Sequence, residues 1–357
     1  MVRMRIAAPI LALALALTVS SGLTASAASP TLFAARDPVP LRGAALAGET
    51  SLRLLVADNP PFILDVDTDT VIPSGIPALS RGTHGVVGVG GRAAVVLARS
   101  VLKRADIYAV RDRDARFSPL GRGTNVWPAA DGRTVWIQTA SSRSRCTLRQ
   151  MGLDGRQIRL PRAFPCATIN DPAGGTLGVI VGRTRVLNPE GRVILQTRGG
   201  IWAVAGTKLV LAESDGFTLL DGKTGASRSL RWPSSAALDQ PAVDPRGRYV
   251  ALAFAVPSWP MRTLPPGWKG SGGFQVLDVW LLDTKTGTLS HVPGMPAFVS
   301  LKRTSMAWTD DGRLVLLGES NGENVVAVWR PGQRRLALKT VELPERDGGS
   351  DSFAILR

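Results

Sequence analysis

The sequence predicts an all-β fold, a β-propeller of four-stranded antiparallel blades. Three observations carry this expectation. Apolar, β-branched runs recur at intervals of tens of residues, each opened by a tight turn. A second kind of turn alternates with the first, and no helical stretch interrupts the series beyond residue 27. Hairpins repeated on this period are the mark of a ring of small sheets, each too small to bury its own faces.

The elements follow in chain order. Blade 1 spans 52–75 and holds the weakest turn, Leu64-Asp65-Val-Asp67-Thr-Asp69. Its three carboxylates offer oxygens for calcium, but the loop lacks the glycine and terminal glutamate of an EF-hand, and solvated turn acids are the simpler reading. Blade 2 spans 84–121. His84 opens it, and Val87-Gly-Val-Gly90-Gly91 leads into a strand rather than a helix, which argues against a dinucleotide loop. Blade 3 (125–164) contains Pro128-Ala-Ala-Asp131-Gly132-Arg133 and then Leu153-Asp154-Gly155-Arg156. The Asp-Gly pairs supply the left-handed residue that a tight hairpin needs. Blade 4 (167–199) is a looser copy with Asn188-Pro-Glu190-Gly191-Arg192. Blade 5 (201–231) ends in Leu220-Asp221-Gly-Lys-Thr-Gly225, which Leu282-Asp283-Thr-Lys-Thr-Gly287 of blade 6 (240–296) nearly repeats. Blade 7 (304–343) opens with Met306-Ala-Trp-Thr-Asp310-Asp311-Gly312-Arg313. Seven blades is the expected count, with six or eight as the neighbouring ones. Ser352-Phe-Ala-Ile-Leu356 then reads as a strand that docks beside the N-terminal blade and closes the ring.

Pro241-Ala-Val-Asp244-Pro-Arg-Gly247-Arg248-Tyr-Val and Ala307-Trp-Thr-Asp-Asp-Gly-Arg-Leu-Val resemble the repeat of TolB-like propellers. Those families carry Ser-Pro-Asp-Gly before each inner hairpin, and here the Ser-Pro is missing. The resemblance covers most of the chain as architecture and implies contact with protein at the blade faces. It transfers no partner-binding residue, because propellers host enzymes, receptors and scaffolds alike.

The N-terminus reads as an address. Arg3 and Arg5 precede the apolar run Ile6–Val19, and Ala25-Ser26-Ala27 stands before Ala28, the three parts of an export signal. The run is short for a bilayer span, so residues 1–27 are expected to be cleaved and 28–357 to form the propeller, with an uncleaved membrane tether as the alternative. The mature chain is expected to hold no transmembrane span. Export makes Cys146 and Cys166 a candidate disulfide, worth about 3 kcal/mol by loop closure. Two buried thiols are the other reading.

In a four-stranded meander the turns between strands one and two and between strands three and four share one face. The turns between strands two and three, and the links between blades, share the other. This places both cysteines on the second face, with the long loop 257–273. Trp259 and Trp268 of that loop offer flat apolar surface, and Arg262 and Lys269 offer charge. Arg99, Lys103, Arg104, Arg143 and Arg145 lie in neighbouring turns. Together they suggest a protein or an anionic cell-envelope polymer as partner, while a self-packed lid and dispersed solubilising charge are the plain alternatives. Arg133, Arg156, Arg192, Arg248 and Arg313 fall on the opposite face, and several are expected to pair with an acid two residues earlier.

The formal charge of +15 does not point to nucleic acid, since aromatic residues are too sparse at 6% to interleave with the arginines. No G-x-S-x-G elbow is present, and Asp131-Gly132 lacks the intervening residue of a sialidase Asp-box. His84 and His291 are the two histidines, and each is read as structural. The expectation is therefore an exported, monomeric binding propeller without cofactor or metal. The alternative is a propeller hydrolase or lyase of lactonase type at the central channel.

Overall fold

A blade strand is apolar at successive positions because each of its faces meets a neighbouring blade. Leu54 packs with Val315 and Ile355 on one side, and the next residue, Leu55, packs with Ile63 and Val96 on the other. In a computed structural model of the chain this two-sided burial produces seven apolar clusters, one between each pair of adjacent blades. The cluster between blades 7 and 1 closes the circle.

The chain divides into two compact units, Met1–Thr31 and Leu32–Arg357. The structure describes residues 39–100, 104–111, 116–140, 145–165, 169–170, 179–188, 192–233, 237–257, 274–300, 305–344 and 352–357, all in the second unit. Every element among them is a strand.

From the axis outward, blade 1 is Phe353–Leu356, Arg53–Val56, Phe62–Asp65 and Thr70–Pro73. Blade 2 is Gly82–Val89, Ala93–Ser100, Ala105–Val110 and Phe117–Gly123. Blade 3 is Asn125–Pro128, Thr134–Ala140, Arg145–Gly152 and Gln157–Pro165, and blade 4 is Ile169–Asn170, Val179–Val181, Arg185–Leu187 and Val193–Gln196. Blade 5 is Gly200–Ala205, Lys208–Ala212, Gly216–Asp221 and Ser227–Arg231. Blade 7 is Ser305–Trp308, Leu314–Ser320, Glu323–Trp329 and Ala337–Thr340.

Blade 6 departs from the expected boundary at residue 296. After Ala237–Val243, Tyr249–Pro257 and Phe274–Asp283, its outer edge comes in two pieces, Thr288–His291 and Ala297–Ser300. Both pair with the third strand, and the interruption falls at Pro293-Gly294, where proline lacks the N–H that a ladder needs.

The C-terminal strand takes the innermost place in blade 1, antiparallel to Arg53–Val56, with Phe353 opposite Val56 and Leu356 opposite Arg53. A segment before blade 1 adds a feature that the sequence did not show. Val39–Pro40 runs parallel to Ala297–Phe298, and Ala44–Ala45 runs parallel to Ala337–Leu338. These short pairings cover the outer edges of blades 6 and 7, which would otherwise present open ladders. Among the described residues no helix is long and apolar enough to cross a membrane.

Candidate binding faces and axial cavity

The turns between strands one and two converge on the axis at one face, called here the turn face. They enclose a cavity of about 450 Å³. Among its lining residues, the apolar Trp202, Val204, Pro241, Met306, Trp308 and Phe353 come from inner strands of four blades. Trp308 is fixed by an indole N–H donated to the Ala242 carbonyl at 2.9 Å and by stacking on Tyr249. The Arg183 guanidinium lies 5.4 Å from the Trp202 ring centroid, in cation–π range.

The rim is polar and carries Arg92, Asp131 and Asp310. Gly90 and Gly91 bring the blade 2 turn close to its neighbours. A Cβ on Gly91 would lie 2.6 Å from the Trp308 carbonyl oxygen and from the Asp310 nitrogen, and its φ is +69°, so glycine is required there on both counts.

Both rim carboxylates are engaged. Asp131 accepts from the backbone N–H of Arg133 and of Thr134, each at 2.8 Å, and from the Thr134 hydroxyl at 2.7 Å. Asp310 is paired with Arg357. Beside it, Arg357 also reaches Asp311 at 3.0 Å. Burial by itself would raise the Asp311 carboxyl. Hydrogen bonds from Thr309 and Arg313, with the charges of Arg313 and Arg357, outweigh burial and hold it at about 2.

The turn-face arginines differ from expectation. Arg313 does pair with Asp311, two residues earlier, at 3.1 Å. In the turns of Arg133 and Arg156 the upstream aspartate instead accepts the backbone N–H of the arginine, and Arg192 donates its backbone N–H to Asn188, while Glu190 lies outside the described residues. An Asx-type turn uses its carboxylate or amide oxygen to cap the chain, which leaves the guanidinium to seek another partner. Arg248 finds one across the blade in Asp283 at 3.0 Å.

The acids of the first turn are structural as well. Asp65 binds Arg53 at 2.8 Å, and Asp67 accepts from the backbone N–H of Thr50 and Ser51. Burial would raise both carboxyls, and these donors pull them below the ordinary range.

His84 is fully buried in the inner strand of blade 2, and burial pushes its imidazole below the ordinary value against the opposing pull of Asp58. His291 bonds through Nε2 to Asp278 and stacks on Trp280 at 4.5 Å, while the Trp280 N–H donates to the other Asp278 oxygen. Both histidines are thus built into the fold.

On the opposite face, the loop face, Arg99 donates to the Asn125 side chain at 2.8 Å and ties blade 2 to blade 3. Arg104 and Arg145 are exposed there, at the starts of third strands. Lys103, Arg143, Trp259, Arg262, Trp268, Lys269 and Cys166 lie outside the described residues. Cys146 is buried opposite Phe164 in the outer ladder of blade 3. Sequence reasoning missed the axial tryptophans and Arg92 and Arg111. Trp202 and Trp308 sit in ordinary strand runs, and only the ring brings them together.

No family model matches the chain, and no curated protein matches it. The TolB-like resemblance therefore rests on the repeat turns alone. Among solved structures, the chain is similar to a protein from Bacteroides uniformis provisionally named a 6-phosphogluconolactonase. Identity is 14%, covering 85% of this chain and 99% of that one, with a TM-score of 0.49. It is also similar to a periplasmic gluconolactonase from Pseudomonas aeruginosa, at 14% identity over 86% of this chain and 99% of that one, with a TM-score of 0.40. A protein from Lactobacillus plantarum matches at 10% identity over 86% and 99%, with a TM-score of 0.47. At these values the likeness carries no argument about activity or substrate.

Proposed function

We propose that the chain is an exported, monomeric β-propeller that captures a ligand without transforming it, and that the axial cavity is its primary site. The observation that supports this reading is the cavity itself. A lining that mixes two tryptophans with polar groups suits a small, partly apolar molecule, and Arg92 at the rim suits a polar end. The rim carboxylates are held by turn donors and by Arg357, an arrangement that favours binding over base catalysis.

In this reading the loop face is a second contact surface for a protein or an envelope polymer. Trp259, Arg262, Trp268 and Lys269 act there together with Arg99, Lys103, Arg104, Arg143 and Arg145. Residues 1–27 serve as the export signal, and Cys146 pairs with Cys166. No cofactor takes part.

Hydrolysis of a lactone in the same cavity is the second reading. It is favoured by the meeting of a guanidinium and two carboxylates at one rim, groups that can hold an oxyanion and a water.

Ala130→Trp plugs the rim from a half-buried turn position that makes no side-chain hydrogen bond. Native mass spectrometry of protein purified from its producing cells is expected to show a bound small molecule that this variant lacks. Equal spectra overturn the cavity assignment. Turnover of glucono-1,5-lactone above the uncatalysed rate, lost in the same variant, replaces capture with hydrolysis.

A further inference from the structure

On the turn face, blades 1, 5 and 6 share a device. A cation at the start of the second strand pairs with an aspartate at the end of the third. The pairs are Arg53–Asp65 at 2.8 Å, Lys208–Asp221 at 2.7 Å and Arg248–Asp283 at 3.0 Å. The ladders align these aspartates with the first residue of strand two: Arg53 opposite Asp65, Lys208 opposite Asp221 and Tyr249 opposite Asp283.

Blade 2 reverses the sign. Its register, Ala94 opposite Val110, brings Arg111 to the position of those aspartates, and Arg92 stands where Arg248 stands in blade 6. Blade 3 omits the acid. Arg133 holds the Arg248 position, and Gly152 faces Thr134. Asp131 does not compensate, because its oxygens accept from the Arg133 and Thr134 backbone and from the Thr134 hydroxyl.

Arg92, Arg111 and Arg133 line a single cleft of about 400 Å³ between the two blades. Among the described residues none of the three makes an ion pair, and Arg111 contacts the Ser118 hydroxyl at 3.2 Å. Among the described residues Asp154 is the one acid in the lining, and it caps the Arg156 N–H. Three like charges gathered where other blades place ion pairs add nothing to stability.

We infer that this cleft binds a polyanion through oxyanion groups on a flexible chain. The planar guanidinium fork matches carboxylate or phosphate bidentately. Among the described residues no aromatic side chain lines the cleft to stack bases, which favours a polyanion without bases over a nucleic acid. The site lies opposite the loop-face arginines named from the sequence; it shares Arg92 with the rim of the axial cavity, whereas Arg111 and Arg133 line the cleft and not that cavity.

The test is calorimetric titration of the full chain with short-chain polyphosphate, polygalacturonate and an oligo-dT strand, at about 50 and 200 mM salt. Polyphosphate or polygalacturonate binds, more weakly at the higher salt, and the better of the two identifies phosphate or carboxylate as the recognised group. Arg111→Asp restores the pairing seen in blades 1, 5 and 6. It is expected to lower affinity about tenfold or more with no loss of Tm. The charge-matched control Arg231→Asp, remote from the cleft, is expected to change affinity less than about twofold. Binding of neither polymer, an equal loss in the control, or tighter binding of oligo-dT than of both overturns the inference. The ligand of the axial cavity is read by mass spectrometry in a separate experiment, so either proposal can fail alone.

Discussion

Asp311 shows how one short turn in blade 7 joins three segments of the chain. Its carboxylate receives Thr309, Arg313 and Arg357, and Arg313 also donates to the Thr50 carbonyl at 3.1 Å. Its folded value of about 2 lies below the ordinary 3.8, so its contribution is complete above about pH 4 and is lost as pH falls towards 2. Asp311→Asn is therefore expected to be less stable than the wild type at pH 7. The deficit is about 1 kcal/mol, since the side chain is 33% exposed and solvent screens it. Urea titrations at pH 7 and pH 2.5 check this, and a deficit that does not shrink at the lower pH contradicts it. The turn was legible in Asp310-Asp311-Gly312-Arg313, because Asp and Gly have local reasons to be there. The distant partners, Arg357 and Thr50, were not. Likewise Asp131-Gly132-Arg133 announced a turn, but not that its aspartate would serve the backbone and leave the arginine without an acid among the described residues.

Among the elements, the closing strand Phe353–Leu356 is the most exacting. All four of its side chains are buried, and they feed two clusters, between blades 7 and 1 and between blades 1 and 2. Deleting residues 351–357 exposes those clusters and leaves Arg53–Val56 without its inner neighbour, at a cost on the order of 5 kcal/mol. A fall in Tm of about 10 °C or more is expected by scanning calorimetry, and an unchanged Tm contradicts the closure. This strand was readable because a short apolar run after a polar stretch, in a ring that needs an edge partner, has few other uses. The parallel pairs at Val39–Pro40 and Ala44–Ala45 were not readable, since two residues carry no periodicity. The broken outer edge of blade 6 lay beyond sequence reasoning for a related cause. Proline and glycine mark an interruption, but not whether the chain returns to the same neighbour.

At the scale of the whole molecule, seven sandwiched sheets hold each other through shared faces, so the ring rather than any blade is the folding unit. The export reading concerns the intact chain. Secreted protein is expected to begin at Ala28 by mass. Reduction of a Cys146–Cys166 bond is expected to lower Tm by about 5 °C. A mass that starts at Met1, or two alkylatable thiols in the unfolded chain, contradicts it.

Turn chemistry and strand pattern are local properties, written in neighbouring residues, and they determined the class of fold, the alternation of turns and nearly every blade boundary. The assembly of sites depends on which distant residues share an axis or a cleft. Only tertiary structure decided that Trp202 and Trp308 face one cavity, and that Arg111 stands where other blades place an aspartate. Both depend on ring geometry and ladder register, which no single stretch of sequence contains.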